Sequence, residues 1–166
     1  AIGQHLAVRL QNAGAELAAI TLKRSTDRFI KAQTEVDYRL IITHDDVMNF
    51  PSEFLAGKKH SGESICSDLG VSSLWPMAQS LRNHVRSYGQ AYYYGHKQNI
   101  SDEEIYTYFQ AAYEMCRKVF DEFDPNIIVA PNFVALPHIF MNLFAAKRNV
   151  PMIGVTDTKV GGLLFF

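Results

Sequence analysis

The sequence predicts an α/β protein: a three-layer, Rossmann-like parallel sheet with a helical insertion. Four short apolar runs without polar alternation, 17–22, 38–43, 127–130 and 152–155, are typical of strands that helices cover on both faces of a parallel sheet. Between these runs lie amphipathic segments, whose apolar residues recur at steps of three and four as on one helical face. Strand, helix and strand over about 30 residues form a βαβ unit, whose crossover is almost always right-handed.

The clearest βαβ unit is predicted in residues 101–155. Ser101 and Glu104 have the spacing of a capping box, which satisfies free N–H groups at a helix start. An apolar helical face follows, and it includes Cys116, so this thiol is expected to be buried. Pro137 fits the first position of the next helix, where proline is tolerated.

The first half of the chain is predicted to alternate in the same way. Residues 3–12 have the pattern of a helix, with Gly14 at the position after its end, and a second helix is predicted over 24–33. The polar stretch 44–73 is too long for an ordinary connection, so it is either functional or locally helical. A long helix is predicted from Leu74 to about Tyr94.

Composition narrows the function classes. The 166 residues, 48% hydrophobic and 20% charged, predict a single globular domain over 1–166. A net charge of −1 gives no electrostatic basis for binding nucleic acid. No apolar run approaches the roughly 20 residues that span a bilayer, and no signal pattern opens the chain. Two distant cysteines form neither a disulfide framework nor a zinc site, which indicates a cytoplasmic protein.

Both ends of the sequence predict a longer parent chain. The first predicted element is a helix, whereas an α/β domain usually opens with a strand, and residues 161–166 end in an apolar run. We therefore expect a fragment cut from a longer chain. An absent first strand would leave an exposed sheet edge, and we expect a homodimeric or swapped contact at that edge.

Candidate site residues follow from the predicted topology. Ligands of open parallel sheets bind beyond the carboxyl ends of the strands, where helices also begin. Polar side chains stand at several of these positions, and we expect one cleft lined by Gly3, Gln4, His5, Asp45, Asn132, His138 and Asp157.

Each of these residues also has a plainer interpretation. His5 or Asp45 is a candidate base for a hydroxyl group, while Asn132 and His138 are candidates for contacting a bound ligand. The plainer alternatives are an ordinary helix start at His5, a solvated turn at Asp45 and a histidine packed under a loop at His138. No phosphate-binding glycine motif, nucleophile motif or zinc motif is present, so neither a metal nor an organic cofactor is expected.

Three segments resemble a known family. Gly3-Gln4-His5 opens a helix that runs into QNAGAEL at 11–17; FDEFDPNIIV at 120–129 leads into a strand; FAAKRNVPMI at 144–153 leads into the next. Together they cover about half the chain and resemble the N-terminal half of GT-B glycosyltransferases of bacterial surface-polysaccharide synthesis. The chain departs from that pattern at Asn126, where such families often have aspartate.

The resemblance implies that this chain is the N-terminal half of a two-domain protein, in which Asn132 and His138 would orient a sugar. The N-terminal half of such enzymes binds a sugar or glycoconjugate acceptor, and a C-terminal domain holds the nucleotide-sugar donor. Two alternatives stay open, a non-catalytic α/β binding module and part of a nucleotide-sugar epimerase. A phospho-receiver with Asp45 as acceptor and Lys159 as its partner fits poorly, since that fold has no place for the long insertion.

Overall fold

The computed structural model describes residues 2–81, 84–85, 97–98, 100–131, 133, 135–157 and 164–165. The helices in these ranges are α1 (Ile2–Asn12), α2 (Arg24–Ala32), α3 (His44–Asn49), α4 (Pro51–Leu55), α5 (Gly62–Leu69), α6 (Trp75–Ala78), α7 (Asp102–Glu122) and α8 (Leu136–Lys147). The strands are β1 (Leu17–Thr21), β2 (Tyr38–Thr43), β3 (His84–Val85), β4 (Lys97–Gln98), β5 (Ile128–Ala130), β6 (Met152–Gly154), β7 (Thr156–Asp157) and β8 (Leu164–Phe165).

Parallel strand pairs confirm the mixed α/β class. β1 pairs in parallel with β2, and β5 pairs in parallel with β6. Each pair is joined through a helix, α2 in the first and α8 in the second, as a βαβ unit requires. The described strands form separate two-stranded sheets rather than one continuous sheet, with the two-residue pairs β3–β4 and β7–β8 in addition.

The predicted strands and helices agree closely with the observed ones in both βαβ units. β2 has the predicted bounds, and the other three predicted strands differ from the observed ones by a single residue at one end. Gly14 follows α1 with a φ of 90°, which glycine adopts without strain. The α8 helix begins one residue before the predicted start, so Pro137 is its second residue rather than its first.

The α7 helix is the centre of the core. Its capping box is present: the Ser101 hydroxyl accepts from the Glu104 N–H at 3.1 Å, and the Ser101 N–H donates to Glu104 Oε2 at 2.8 Å. Cys116 is buried on this helix, as predicted. The aromatic rings of Phe109 on α7 and Phe140 on α8 lie 6.1 Å apart between centroids, within the range of favourable ring contacts. No described helix is long and apolar enough to cross a membrane.

The polar stretch 44–73 contains helices, as one of the two explanations for its length predicted. It holds α3, α4 and α5, separated by residues in the left-handed conformation or by short turns. The apolar side chains Val47 and Ile65 are fully buried from this stretch. The α3 and α4 helices therefore cover one side of α7, and α5 packs on α8.

The predicted long helix 74–94 is wrong in its described part. The α6 helix ends at Ala78, turns follow, and β3 occupies 84–85. Pro76 lies at the start of α6, where it is tolerated, but the apolar spacing beyond it does not continue as a helix. Residues 82–83 and 86–94 lie outside the described part of the chain.

Candidate functional site

A cavity of about 810 Å³ lies between the β1–β2 pair and the β5–β6 pair. Residues 18–22 line one side, and residues 127–131 line the opposite side. Helices close the remainder with mostly apolar side chains, among them Leu6, Met115, Val119, Pro137 and Met141. Such a volume lies within the range of small-molecule sites, which are concave, mostly apolar and carry a few polar groups.

Two buried polar atoms at this cavity have no hydrogen-bond partner among the described residues. They are Oγ1 of Thr21, the last residue of β1, and Nδ1 of His138, the third residue of α8. Both residues line the cavity, one from each parallel pair. An unpaired buried polar group costs about 1–3 kcal/mol, so a bound polar group would relieve a penalty at both positions.

The imidazole of His138 is held in its neutral form. Burial lowers the pKa of His138 below its ordinary value, and the nearby positive end of α8 acts in the same direction. A neutral imidazole has one donor nitrogen and one acceptor nitrogen, and the tautomer decides which role Nδ1 takes. Among the described residues that line the cavity, His138 is the one titratable side chain.

Gly3 reaches the same cavity from the start of α1. A Cβ added at Gly3 would meet no atom within 4 Å, so the helix start is open at this point. Free N–H groups at a helix start attract electron-rich ligand atoms. Gly3 and His138 thus both line this cavity.

Gln4 and His5 do not line the cavity. The Gln4 amide donates to Gln33 Oε1 at 3.1 Å and to Glu35 Oε2 at 3.2 Å, which ties α1 to the segment after α2. His5 is exposed on α1. In a helix, consecutive residues point about 100° apart, so Gly3, Gln4 and His5 share a helix start without sharing a face.

Asp45 follows β2 as predicted, but its carboxylate serves a neighbouring helix. Oδ2 of Asp45 accepts a hydrogen bond from the backbone N–H of Arg24 at 2.9 Å. Arg24 is the first residue of α2, whose N-cap residue Lys23 makes no side-chain cap. A carboxylate at this point satisfies a free N–H group and suits the positive end of the helix. Asp45 therefore joins the exits of β1 and β2 and does not line the cavity.

Two predicted site residues remain, Asn132 and Asp157. Asn132 lies outside the described residues. Asp157 belongs to β7, where the structure describes its backbone pairing with Leu164 in an antiparallel ladder. Their assignment to the site stays a prediction.

A second pocket, of about 510 Å³, is polar and lies beside the ends of β1 and β2. Both carboxylates that line it are paired: Asp46 contacts Arg24 at 3.1 Å, and Asp27 contacts Lys31 at 2.9 Å. Thr43 also donates to Asp27 at 2.6 Å, and this hydrogen bond lowers the pKa of Asp27, with Lys31 adding to the effect. Both carboxylates of this pocket therefore have partners, and its lining also includes the exposed Arg28.

Thr21 is not among the predicted site residues. It ends the apolar strand β1 at the carboxyl edge, where ligands of parallel sheets bind, so its position in the sequence could have marked it as a candidate. Its lack of a partner is a tertiary property, because the neighbouring Thr43, in an equivalent position, is bonded.

Neither metal-binding groups among the described residues nor similarity to known proteins indicates a function for this chain. In the part of the chain that the structure describes, no three His, Cys, Asp or Glu side chains come together as a metal site requires. No family model, curated protein or solved structure matches this chain. The cavity is therefore the feature of the described structure that bears on function.

Proposed function

We propose that this chain is the acceptor-side domain of a GT-B-type glycosyltransferase that uses a nucleotide-sugar donor. One observation carries the proposal: Thr21 and His138 line the same cavity at the carboxyl edge of the two parallel pairs, and the buried atoms Thr21 Oγ1 and His138 Nδ1 have no hydrogen-bond partner among the described residues. This edge is where ligands of parallel α/β domains bind. The resemblance of residues 120–129 and 144–153 to that family supports the same assignment.

The chemistry of the cavity favours an acceptor with a hydroxyl group and an apolar portion. A ligand hydroxyl can donate to one unpartnered atom and accept from the other, which no purely apolar ligand does. The aliphatic walls, such as Ile20, Ile128 and Met141, suit an apolar aglycone. No lysine or arginine lines this cavity in the described part of the chain, which fits poorly with a diphosphate.

His138 replaces His5 and Asp45 as the proposed contact to the reacting hydroxyl. Its neutral imidazole lies on the cavity, whereas the Asp45 carboxylate caps α2 and His5 is exposed elsewhere on α1. In the tautomer with a free Nδ1 lone pair, the ring accepts the acceptor's O–H, the geometry that general-base catalysis requires. Thr21 orients the same ligand.

The proposed function requires a larger sheet than the separate two-stranded sheets among the described residues. The two parallel pairs belong to one three-layer, Rossmann-like sheet over residues 1–166, and this domain is the N-terminal half of a two-domain chain. The donor then binds to the second domain. The alternative is a non-catalytic α/β binding module, which needs no donor site. The mostly apolar lining of the cavity favours this alternative.

Binding measurements on matched variants test the proposal. The probes are octyl β-glucoside below its micelle-forming concentration and UDP-glucose, each titrated by calorimetry and followed by NMR. We expect the alkyl glycoside to bind and to shift the signals of Thr21 and His138. Thr21→Val should weaken this binding about tenfold, since one hydrogen bond is worth roughly 1.4 kcal/mol at most sites of this kind. Thr43→Val is the matched control and should leave binding unchanged.

Other outcomes would contradict the proposal. Tight UDP-glucose binding by this chain alone would place the donor here and favour an epimerase-like role. Equal binding of octyl β-glucoside and plain alkyl alcohols, unaffected by Thr21→Val, would favour the binding module. Absence of binding by every probe would remove the support that the two unpartnered atoms give.

A further inference from the structure

The α2 helix starts beside the cavity with backbone N–H groups that have no acceptor. A helix leaves its first four N–H groups without partners inside the helix. The Arg24 N–H donates to Asp45 Oδ2 at 2.9 Å, but the N–H groups of Ser25 and Thr26 have no partner among the described residues. The residue before the helix, Lys23, makes no side-chain cap. The first turn of α2 can therefore still donate hydrogen bonds to a ligand.

One face of this helix lines the cavity. Thr26 and Ile30, one turn apart on α2, are both lining residues, and so is Leu22, which precedes the helix. The N–H groups of a helix point toward its start, so those of the first turn are directed toward the segment that contains Leu22. The hydroxyl of Thr26 also makes no hydrogen bond among the described residues. The cavity and these unpaired donors therefore meet at the first turn of α2.

The buried hydroxyl of Thr21 lies on the side of the sheet that α2 covers. Thr21 and Thr43 are register partners, and register partners of neighbouring strands point to the same face. Thr43 donates to Asp27 on α2, which identifies this face as the one beneath the helix. Thr21 lines the cavity and is 2% exposed, and its Oγ1 has no partner among the described residues. This buried hydroxyl is a second, independent indication of a ligand at the start of α2.

The charges around this helix start favour a ligand with a single negative charge. The positive end of a helix is equivalent to about half an elementary charge. Lys23 and Arg28 are exposed beside it without ion-pair partners among the described residues, while the Asp27 carboxylate is paired with Lys31 at 2.9 Å. No lysine or arginine among the described residues lines the cavity itself. A carboxylate, with one charge, therefore suits this position better than a phosphate group, which carries nearly two.

We propose that the first turn of α2 binds a carboxylate, so that the ligand of the cavity is an acidic glycoside, a sugar that carries a carboxylate as well as hydroxyl groups. The carboxylate accepts from the N–H groups of Ser25 and Thr26 and from the Thr26 hydroxyl. The Thr21 hydroxyl donates to the carboxylate and accepts from a sugar hydroxyl, and His138 contacts a hydroxyl of the same sugar. The inference rests on the proposed function, because it names a class of acceptor for the same cavity.

Two alkyl glycosides that differ in one group test the carboxylate subsite. Octyl β-glucuronide has a carboxylate where octyl β-glucoside has a hydroxymethyl group, and the ring and the alkyl chain are otherwise the same. Each is titrated by calorimetry at pH 7, below its micelle-forming concentration, and the ratio of the two dissociation constants is the readout. We expect the unmodified chain to bind the glucuronide about tenfold more tightly, because its carboxylate forms charged hydrogen bonds.

Two variants locate the subsite on α2. Ser25→Pro removes one N–H donor at the second position of the helix, a position that proline already occupies in α8. Thr26→Val removes the hydroxyl without changing the backbone. We expect each variant to reduce the glucuronide preference about threefold or more, since each loses one hydrogen bond to a charged group. Thr107→Val is the matched control on α7, where the Thr107 hydroxyl donates to Glu103 O outside the cavity, and it should leave the ratio unchanged.

Three results would overturn the carboxylate subsite. Equal binding of the two glycosides by the unmodified chain would show that the carboxylate has no subsite, while the proposed function would stand. An undiminished preference in both Ser25→Pro and Thr26→Val would place the carboxylate away from α2. Displacement of the glucuronide by inorganic phosphate at lower concentration than by acetate would make phosphate the preferred anion. Absence of binding by both glycosides would contradict the proposed function as well, so the two failures are distinguishable.

Discussion

Thr21 and Thr43 are register partners at the ends of β1 and β2, yet only Thr43 has a bonded hydroxyl. The Thr43 hydroxyl donates to Asp27 Oδ1 at 2.6 Å, while Oγ1 of Thr21 is buried at the cavity without a partner among the described residues. Identical residues in matched positions therefore differ in what they contribute. One hydroxyl stabilises the fold through a hydrogen bond, and the other has no partner among the described residues.

Valine substitutions should separate these two contributions. Thr21→Val removes an unsatisfied buried hydroxyl, so we expect it to raise the free energy of unfolding by about 1 kcal/mol. Thr43→Val removes a hydrogen bond to a carboxylate and should lower that free energy by about 1–2 kcal/mol. Urea denaturation followed by circular dichroism measures both. Destabilisation of similar size by the two variants would contradict the assignment of an unmet hydroxyl to Thr21.

Acid should weaken the fold through His138. Because burial lowers the pKa of His138 in the folded protein, the unfolded chain binds its proton first as pH falls. The full contribution to stability is present above the unfolded pKa of about 6.5 and is lost as pH falls from there toward the lower folded value. His138→Gln should reduce the difference in unfolding free energy between pH 7.5 and pH 5.5.

The exposed His5 provides the composition control for this experiment. His5→Gln removes one imidazole from the surface of α1 without touching the cavity. An NMR titration of the His138 ring gives its folded pKa directly. A midpoint above 6.5 would reverse the expected sign.

Glu114 should stabilise the contact between α7 and the segment before α5. Its carboxylate is nearly buried and contacts both Lys58 and His60. Burial works to raise the pKa of Glu114, but the hydrogen bonds and charges of Lys58 and His60 outweigh it and lower the pKa. Its contribution is therefore present above the unfolded pKa of about 4.3 and is lost as pH falls through the lower folded value.

Glu114→Gln should lower the free energy of unfolding at pH 7 by about 1–3 kcal/mol, since a buried charged hydrogen bond is lost. Glu122 lies on the same helix, and its carboxylate contacts Lys118 only at the surface, at 3.9 Å, so Glu122→Gln is the control. That control should change the free energy by less than about 0.5 kcal/mol. Equal effects from the two glutamates would show that burial of Glu114 is energetically unimportant.

Two neighbouring residues after α4 should respond oppositely to exchange of alanine and glycine. Ala56 has a φ of 49°, in the left-handed region, and Gly57 has a φ of 83°. Ala56→Gly relieves roughly 1 kcal/mol of backbone strain, less the larger entropy of glycine when unfolded, so we expect a net gain of about 0.5 kcal/mol. Gly57→Ala should cost about 1 kcal/mol through the backbone alone, because its Cβ would meet no atom within 4 Å.

Thermal unfolding of both variants, followed by calorimetry, measures this pair. A lower Tm for Ala56→Gly would show that the turn tolerates alanine without strain. Unchanged stability of Gly57→Ala would show the same for its neighbour.

Local patterns determined much of the secondary structure. The capping box at Ser101, the helical spacing along α7 and the unalternated apolar run of β2 each depend on residues close in sequence, so they could be predicted. The same kind of signal failed over 74–94. There the apolar spacing suited a helix, but in the described part of that range α6 ends at Ala78 and β3 follows at 84–85, because propensity is weak where tertiary contacts decide.

The sequence by itself determined which residues stand at the carboxyl ends of strands and the starts of helices. Only the tertiary structure decided their roles. Asp45 accepts from the first N–H of α2, and Gln4 bonds to the segment after α2. His138 lines the cavity together with Thr21, which was not predicted. The reason is physical. Position along the chain sets where a polar group emerges, but its hydrogen-bond partners come from segments distant in sequence, and a group is available to a ligand only where no such segment reaches it.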